Sequence, residues 1–311
     1  MRFVGEAVRP LTIDPLRVGH FLRGGIKHVF FRRSTDPRRA FWPSLYCELF
    51  EPDRLPALAA LKERFGYRAT LPRPIALDTT WTGGHYRAGA AFSFGIVLTG
   101  RLCRPEVVHA LIFAVEEMGR RKGIGPGGKF WLKRVETLGP GFVIREIYDG
   151  ERGISTPEIL LHRFEDVAQE PHGADHRLRL ELTSPLQLRR EGKSVTQLPF
   201  ATLLQALLLR FEMLQRYFCD GGERLHPRET IEALVAAASE VRTRQSSLTW
   251  QAVRTRGERS LGGLTGSVVY EGDLTPFLPY LAFGGLTGVG KKTTFGLGRF
   301  TLHPQGGRRR Q

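Results

Sequence analysis

Gly288-Val289-Gly290-Lys291-Lys292-Thr293-Thr294-Phe295-Gly296-Leu297-Gly298 places two Gly-apolar-Gly triplets around a five-residue insert holding two Lys and two Thr. Glycine admits φ > 0 and lets a backbone come close to a bulky anion. Successive N–H groups then form an anion-binding concavity, to which Lys291 and Lys292 add charge. An apolar segment of helical character, 276–286, runs into this loop, and a short strand, 299–302, leaves it. The setting suits a phosphate-contacting loop between a helix and a strand. Gly285 to Lys292 also comes within one residue of the nucleotide-binding G-x-x-x-x-G-K-[ST] loop. Lys292 stands where the Mg²⁺-binding hydroxyl belongs, and that loop should follow a strand and open a helix. Too little chain follows for the rest of a nucleotide-binding sheet, so the nucleotide reading is set aside.

The same plan occurs earlier in the chain. Gly100-Arg-Leu-Cys-Arg-Pro105 corresponds to Gly272-Asp-Leu-Thr-Pro276, each opening an apolar helix that leads to Gly-apolar-Gly and a strand. In the first copy the triplet is Gly123-Ile124-Gly125, after Arg120, Arg121 and Lys122. A repeat of roughly 170 residues implies two domains of one fold. Strands are expected over 72–79, 91–99, 130–135 and 176–182, and helices over 105–118, 200–218 and 229–238. The resulting fold class is α+β, with two tandem ferredoxin-like (RRM-like, βαββαβ) domains. Their expected bounds are 1–148 and 174–306, with a polar linker at 149–173 and a basic tail at 307–311.

Composition narrows the function. The chain has 311 residues and a formal net charge of +15. Such a surplus points to a polyanionic partner, most often nucleic acid. Arg far outnumbers Lys, which suits bidentate phosphate contacts and stacking on bases. No run of about 18 or more apolar residues is present, so no membrane span is expected. The N-terminus lacks the apolar run of a signal peptide. Cys47, Cys103 and Cys219 are scattered and without C-x-x-C spacing. They suggest neither a disulfide framework nor a zinc site, and a cytoplasmic location is expected.

The first helix carries the candidate chemistry. From His20 to Arg33, Leu22, Ile26, Val29 and Phe30 share one side at helical spacing. His20, Arg23 and Lys27 cluster on a flank, and His28 lies roughly opposite the apolar stripe. Gly24-Gly25 costs about 1 kcal/mol per Gly relative to Ala, so close approach of another segment is expected there.

Two parts of the chain carry a family resemblance. The Gly-apolar-Gly-x5-Gly-apolar-Gly stretch, and Leu22-Arg23-Gly24-Gly25 followed by His28, are similar to motifs of the CRISPR precursor-RNA-processing endoribonucleases of the RAMP superfamily. Relatives often continue with several cysteines, where this chain has the Arg-rich Ser34-Thr-Asp-Pro-Arg-Arg-Ala-Phe-Trp-Pro43. Relatives also often use Tyr or Lys beside His, and arginines here resemble the divergent members associated with type IV systems. The resemblance implies a metal-independent endoribonuclease that binds CRISPR repeat RNA and takes no cofactor. It also implies association with other CRISPR effector subunits. The contrasting reading is a non-catalytic RAMP subunit that only grips guide RNA.

RNA supplies its own nucleophile, the 2′-OH beside each phosphate. A ribonuclease of this kind needs a base, an acid and cations for the phosphorane. His28 is the first candidate for proton transfer, followed by His20 and then His85. Arg23, Arg38 and Arg242 are expected to stabilise charge without titrating. RNA binding is assigned to Gly288, Gly290, Lys291, Lys292, Gly296, Gly298 and Arg299, with Lys27, Arg120, Arg121 and Lys122. No metal ligands are expected, because no Asp/Glu/His cluster has two-metal spacing.

Overall fold

The computed structural model describes residues 1–32, 40–80, 82–125, 127–155, 159–169, 176–190, 192–219, 226–252 and 262–305. Two compact units divide the chain. The first comprises Met1–Leu161, Tyr217–Gly222 and Thr294–Gly296; the second comprises His162–Arg216, Glu223–Thr293 and Leu297–Gln311.

The first unit begins with β1 (Arg2–Ala7) and β2 (Leu11–Ile13), then α1 (Val18–Arg32), α2 (Phe41–Phe50) and α3 (Pro56–Arg64). It continues with β3 (Ile75–Asp78), β4 (Gly84–Tyr86), β5 (Ala91–Leu98), α4 (Pro105–Arg121), β6 (Phe130–Leu138), β7 (Ile144–Asp149) and β8 (Gly153–Ile154). The main sheet runs β3-β5-β1-β6-β7-β8. Its core strands β1, β3, β5 and β6, with α1 and α4 as crossovers, make a βαββαβ unit, and neighbouring strands are antiparallel. Period-two burial in β1 turns Phe3, Gly5 and Ala7 inward, while α4 buries Val107, Leu111, Val115 and Met118 against the same core.

The second unit holds α5 (Phe164–Gln169), β9 (Arg177–Leu186), β10 (Arg189–Arg190), β11 (Lys193–Ser194), α6 (Phe200–Phe218) and α7 (Arg228–Ser239). After these come β12 (Arg242–Ser246), β13 (Thr249–Gln251), β14 (Gly263–Glu271), α8 (Leu278–Thr287) and β15 (Phe300–Pro304). Its sheet runs β12-β14-β9-β15, with β13 also on β14. Taking β9, β12, β14 and β15 in chain order, this is the strand order of the first unit's core. Leu203, Leu204, Leu207 and Phe211 of α6 enter its core with Leu178 and Leu180 of β9. The ferredoxin-like plan therefore occurs twice, once in each unit.

Three parts of the sequence reading differ in detail. The span 41–64, for which the sequence reading gives no helix, carries α2 and α3. Pro43 lies within the first turn of α2, where its missing N–H breaks no helical bond. The stretch 149–173 contains β8 and α5. Gly84, which with Gly83 reads as a turn in the sequence, instead opens β4, which pairs with β2. Arg38, Arg254, Arg256, Gly221-Gly222, where a turn is expected from the sequence, and the tail 307–311 lie outside the described residues.

Candidate RNA-processing site

α1 is led in by Asp14. Its Oδ1 accepts the N–H of Leu16 at 2.9 Å, and its carbonyl accepts those of Arg17 and Val18 at 3.0 Å. The apolar stripe Leu22, Ile26, Val29 and Phe30 is buried, which leaves His28 exposed on the far side. A Cβ on Gly25 would collide with the side chain of Met118, so Gly25 lets α1 lie close against α4. Gly24 faces open space. The next turn of α1 carries His28, and the residue capping α4 is Lys122.

The electrostatics fit that placement. The His28 pKa is held below 6.5, first by desolvation and then by the charges of Lys122 and Arg32. That direction favours the neutral imidazole, the form a proton acceptor needs. Arg32 was missed in the sequence reading, although its i+4 spacing from His28 was available. Lys122, expected to bind RNA, comes from another helix and could be joined to His28 only through the fold.

The other α1 residues make different contacts within the first unit. Arg23 Nη1 donates to Thr294 Oγ1 at 3.2 Å, and its guanidinium lies 4.6 Å from the Phe295 ring centroid and 5.5 Å from that of Phe50. His20 stacks on Phe295, with centroids 6.1 Å apart and planes 14° from parallel. Gly19 admits this contact, because a Cβ there would collide with the Phe295 carbonyl. Nothing in the spacing of Gly19 marked it. Lys27 sits over Tyr46 at 5.4 Å and over Phe31 at 5.7 Å. Glu51 is held below the usual carboxylate range, first by its hydrogen bond from Arg54 and then, among nearby charges, by Lys27.

Arg120 and Arg121 form i,i+4 ion pairs with Glu116 and Glu117 at 2.6 and 2.7 Å, and their side chains remain exposed. His85 Nδ1 lies 2.9 Å from Thr12 Oγ1 across the β2–β4 pair. Arg242 belongs to the second unit, where it opposes Glu271 on β14.

The glycine loop is held by its own backbone. Gly288, Gly290, Gly296 and Gly298 have φ of 70°, 82°, 81° and 76°, the left-handed region that favours glycine. Val289 N–H bonds the Gly298 carbonyl at 3.0 Å, and Lys291 N–H bonds the Gln187 carbonyl at 2.9 Å. Lys292 has φ 66° without being glycine. Two buried arginines brace the helix that leads in. Arg210 donates to the Thr287 carbonyl at 3.2 Å and Arg299 to that of Leu286 at 2.5 Å, at the electronegative end of α8. Burial, and then the charge of Arg299, pushes Arg210 down to about 10. Arg299 thus supports the loop from within.

Among the described residues, no group of three or more His, Cys, Asp or Glu could hold a metal ion. Among the same residues, no helix is long and apolar enough to cross a membrane.

Two ferredoxin-like units, a Gly-rich loop and an exposed histidine on the first helix agree with the plan that the resemblance to the RAMP superfamily implies. Residues 180–300 match the model of the CRISPR-associated endoribonuclease Cas6, and residues 1–185 match a model described as an N-terminal domain. Residues 180–300 thus carry a domain of the CRISPR-associated endoribonuclease Cas6 family. Among solved structures, a Cas6 product complex matches with TM-score 0.59 and 14% identity, over 97% of this chain and 99% of that one. Cas6 of Thermus thermophilus matches with TM-score 0.54 and 15% identity, over 97% of both chains. A RAMP protein binding different RNA substrates matches with TM-score 0.50 and 15% identity, over 97% of this chain and 99% of that one. At these identities the likeness is one of fold. No curated protein matches the chain.

Proposed function

We propose that this protein binds the repeat of CRISPR precursor RNA and cleaves it by attack of the 2′-OH beside the scissile phosphate, without a metal ion. In this reaction the 2′-oxygen forms a bond to phosphorus as the bond to the 5′-oxygen breaks. His28 takes the proton of the 2′-OH, and the departing 5′-oxygen gains a proton from an acid or from water. The products carry a 2′,3′-cyclic phosphate and a 5′-OH. Lys122 and Arg32 are assigned to the charge developing on the phosphorane, where cations act most strongly. Arg23, Arg38 and Arg242 keep the same assignment, with one Arg23 N–H already committed to Thr294. The glycine loop is assigned to the RNA backbone through Gly288, Gly290, Gly296, Gly298, Lys291 and Lys292. The bound product is then held with, or passed to, other CRISPR subunits.

The observation that carries this reading is the exposed His28 on α1, with Lys122 and Arg32 close enough for their charges, after desolvation, to lower its pKa. Single-turnover cleavage of labelled repeat RNA by wild type and His28→Ala tests it. The expected loss is about 10²–10⁴-fold, the range for general acid–base catalysis, with RNA affinity nearly unchanged. Cleavage by His28→Ala at the wild-type rate would remove the base assignment. Wild-type protein that binds the repeat without cutting it would favour the non-catalytic subunit.

A further inference from the structure

On the first unit, α4 and β6 border a cleft of about 270 Å³ whose lining includes Glu116, Arg120, Trp131, Leu132, Lys133 and Tyr148. It exists because β7 pairs with β6 only from Arg134 to Leu138. Beyond Asp149 the chain turns at Gly150, whose N–H bonds the Lys133 carbonyl at 2.8 Å. Among the described residues, no strand pairs with β6 at Trp131 and Leu132 on that side. Trp131 is 49% exposed, a large apolar ring left open to water. Arg120, with a side chain 51% exposed, and the exposed Lys133 supply cations to the same cleft.

Glu116 is committed inside the protein. It pairs with Arg120 at 2.6 Å and accepts from the Tyr148 hydroxyl, whose pKa is pushed up to about 12 by burial and then by the charge of Glu116. The cleft keeps a positive balance from its two cations against one carboxylate. A cleft lined by an exposed aromatic residue, a lysine and an anchored arginine matches the chemistry of an unpaired nucleotide. The base stacks on the ring, and the phosphate meets the cations. A paired base has no free face to offer, so a duplex does not fit. The volume falls below the range for drug-sized ligands, which limits the occupant to about one nucleotide.

We infer that this cleft binds one single-stranded nucleotide of the RNA, with its base on Trp131 and its phosphate between Lys133 and Arg120. The inference rests on the RNA-processing reading for its biological ligand, and its test does not need cleavage. A fluorophore-labelled single-stranded oligoribonucleotide of about eight nucleotides, within the usual site size for such binding, is titrated into the full chain and read by anisotropy. Trp131→Ala is expected to weaken binding about fivefold or more, and Trp131→Phe to keep most of the affinity. Lys133→Ala is expected to make the dependence of log K on log salt shallower by about 0.7. Both changes should be smaller for an RNA duplex of equal length.

Single-strand affinity unchanged in both Trp131→Ala and Lys133→Ala would overturn the assignment. Equal losses for single strand and duplex would overturn it too, pointing to general electrostatics. If Trp131→Phe binds no better than Trp131→Ala, stacking is refuted. Capture of a protein instead, with no dependence of RNA binding on Trp131, would assign the cleft to a protein partner and refute the nucleotide. If wild type fails to cut repeat RNA while the short strand still binds through Trp131, the processing reading falls and the cleft stands.

Discussion

His28 concentrates the account at the scale of one residue. Desolvation and then the charges of Lys122 and Arg32 disfavour its protonated form, so its pKa is lowered from the ordinary imidazole value. A base must be neutral to act. The cleavage rate should therefore be full near pH 7 and fall only as pH drops through that lowered pKa. Lys122→Ala removes one of the two depressing charges, so the acid limb of the profile should move to higher pH. An acid limb that stays in place in Lys122→Ala, measured under single-turnover conditions, would separate His28 from the rate. The outward face of His28 was legible in the sequence, because helical period fixes which residues share a side. Its partner Lys122 was not, since it arrives from another helix through the packing of Gly25 against Met118.

At the scale of elements, the glycine loop was the clearest signal in the sequence, and its supports were the least visible. The four glycines are needed for backbone reasons, seen in their left-handed φ values. Gly290 illustrates the consequence, since a Cβ there would lie 2.6 Å from the Gln187 carbonyl. Substituting it should therefore cost stability as well as RNA affinity, which makes it an ambiguous probe. Lys292 separates the two effects. A non-glycine residue in the left-handed region costs about 1–2 kcal/mol, and Lys292 sits there at φ 66°. Lys292→Gly should leave the melting temperature unchanged or higher and weaken repeat-RNA binding severalfold. Full RNA affinity in that variant would reduce the loop to a structural turn. Of the bracing arginines, Arg210 comes from α6, a distant segment that spacing could not announce, while Arg299 follows Gly298 directly and reads in the sequence as an RNA contact rather than a brace. α2 and α3 were missed for another reason. Their approach is rich in Arg and Pro, which reads as loop, while Phe41, Trp42, Leu45, Tyr46 and Leu49 carry a helical pattern within a short span.

For the whole molecule, the tandem fold was legible because each unit repeats the same order of elements around its own core. The repeated Pro-led helix, Gly-apolar-Gly and strand gave that order away. What the repeat left unread was short. β8 and α5 are too brief for periodicity to register, and β4 lies in a segment that glycine marked as a turn. The net charge of +15 acts at this same scale. If phosphates supply much of the affinity, log K for repeat RNA should fall linearly with log salt, by about 0.7 per single-stranded phosphate neutralised. A flat dependence, measured by filter binding across a salt series, would contradict arginine-driven recognition.

The claim that joins these scales is that RNA provides the nucleophile and the protein provides base and charge. Its most direct measurement is the chemistry of the product ends after cleavage of repeat RNA by the full chain in EDTA. The account predicts cleavage under those conditions, leaving a 2′,3′-cyclic phosphate or 3′-phosphate on one fragment and a 5′-OH on the other. A strict requirement for Mg²⁺, or a product ending in a 3′-OH, would contradict it.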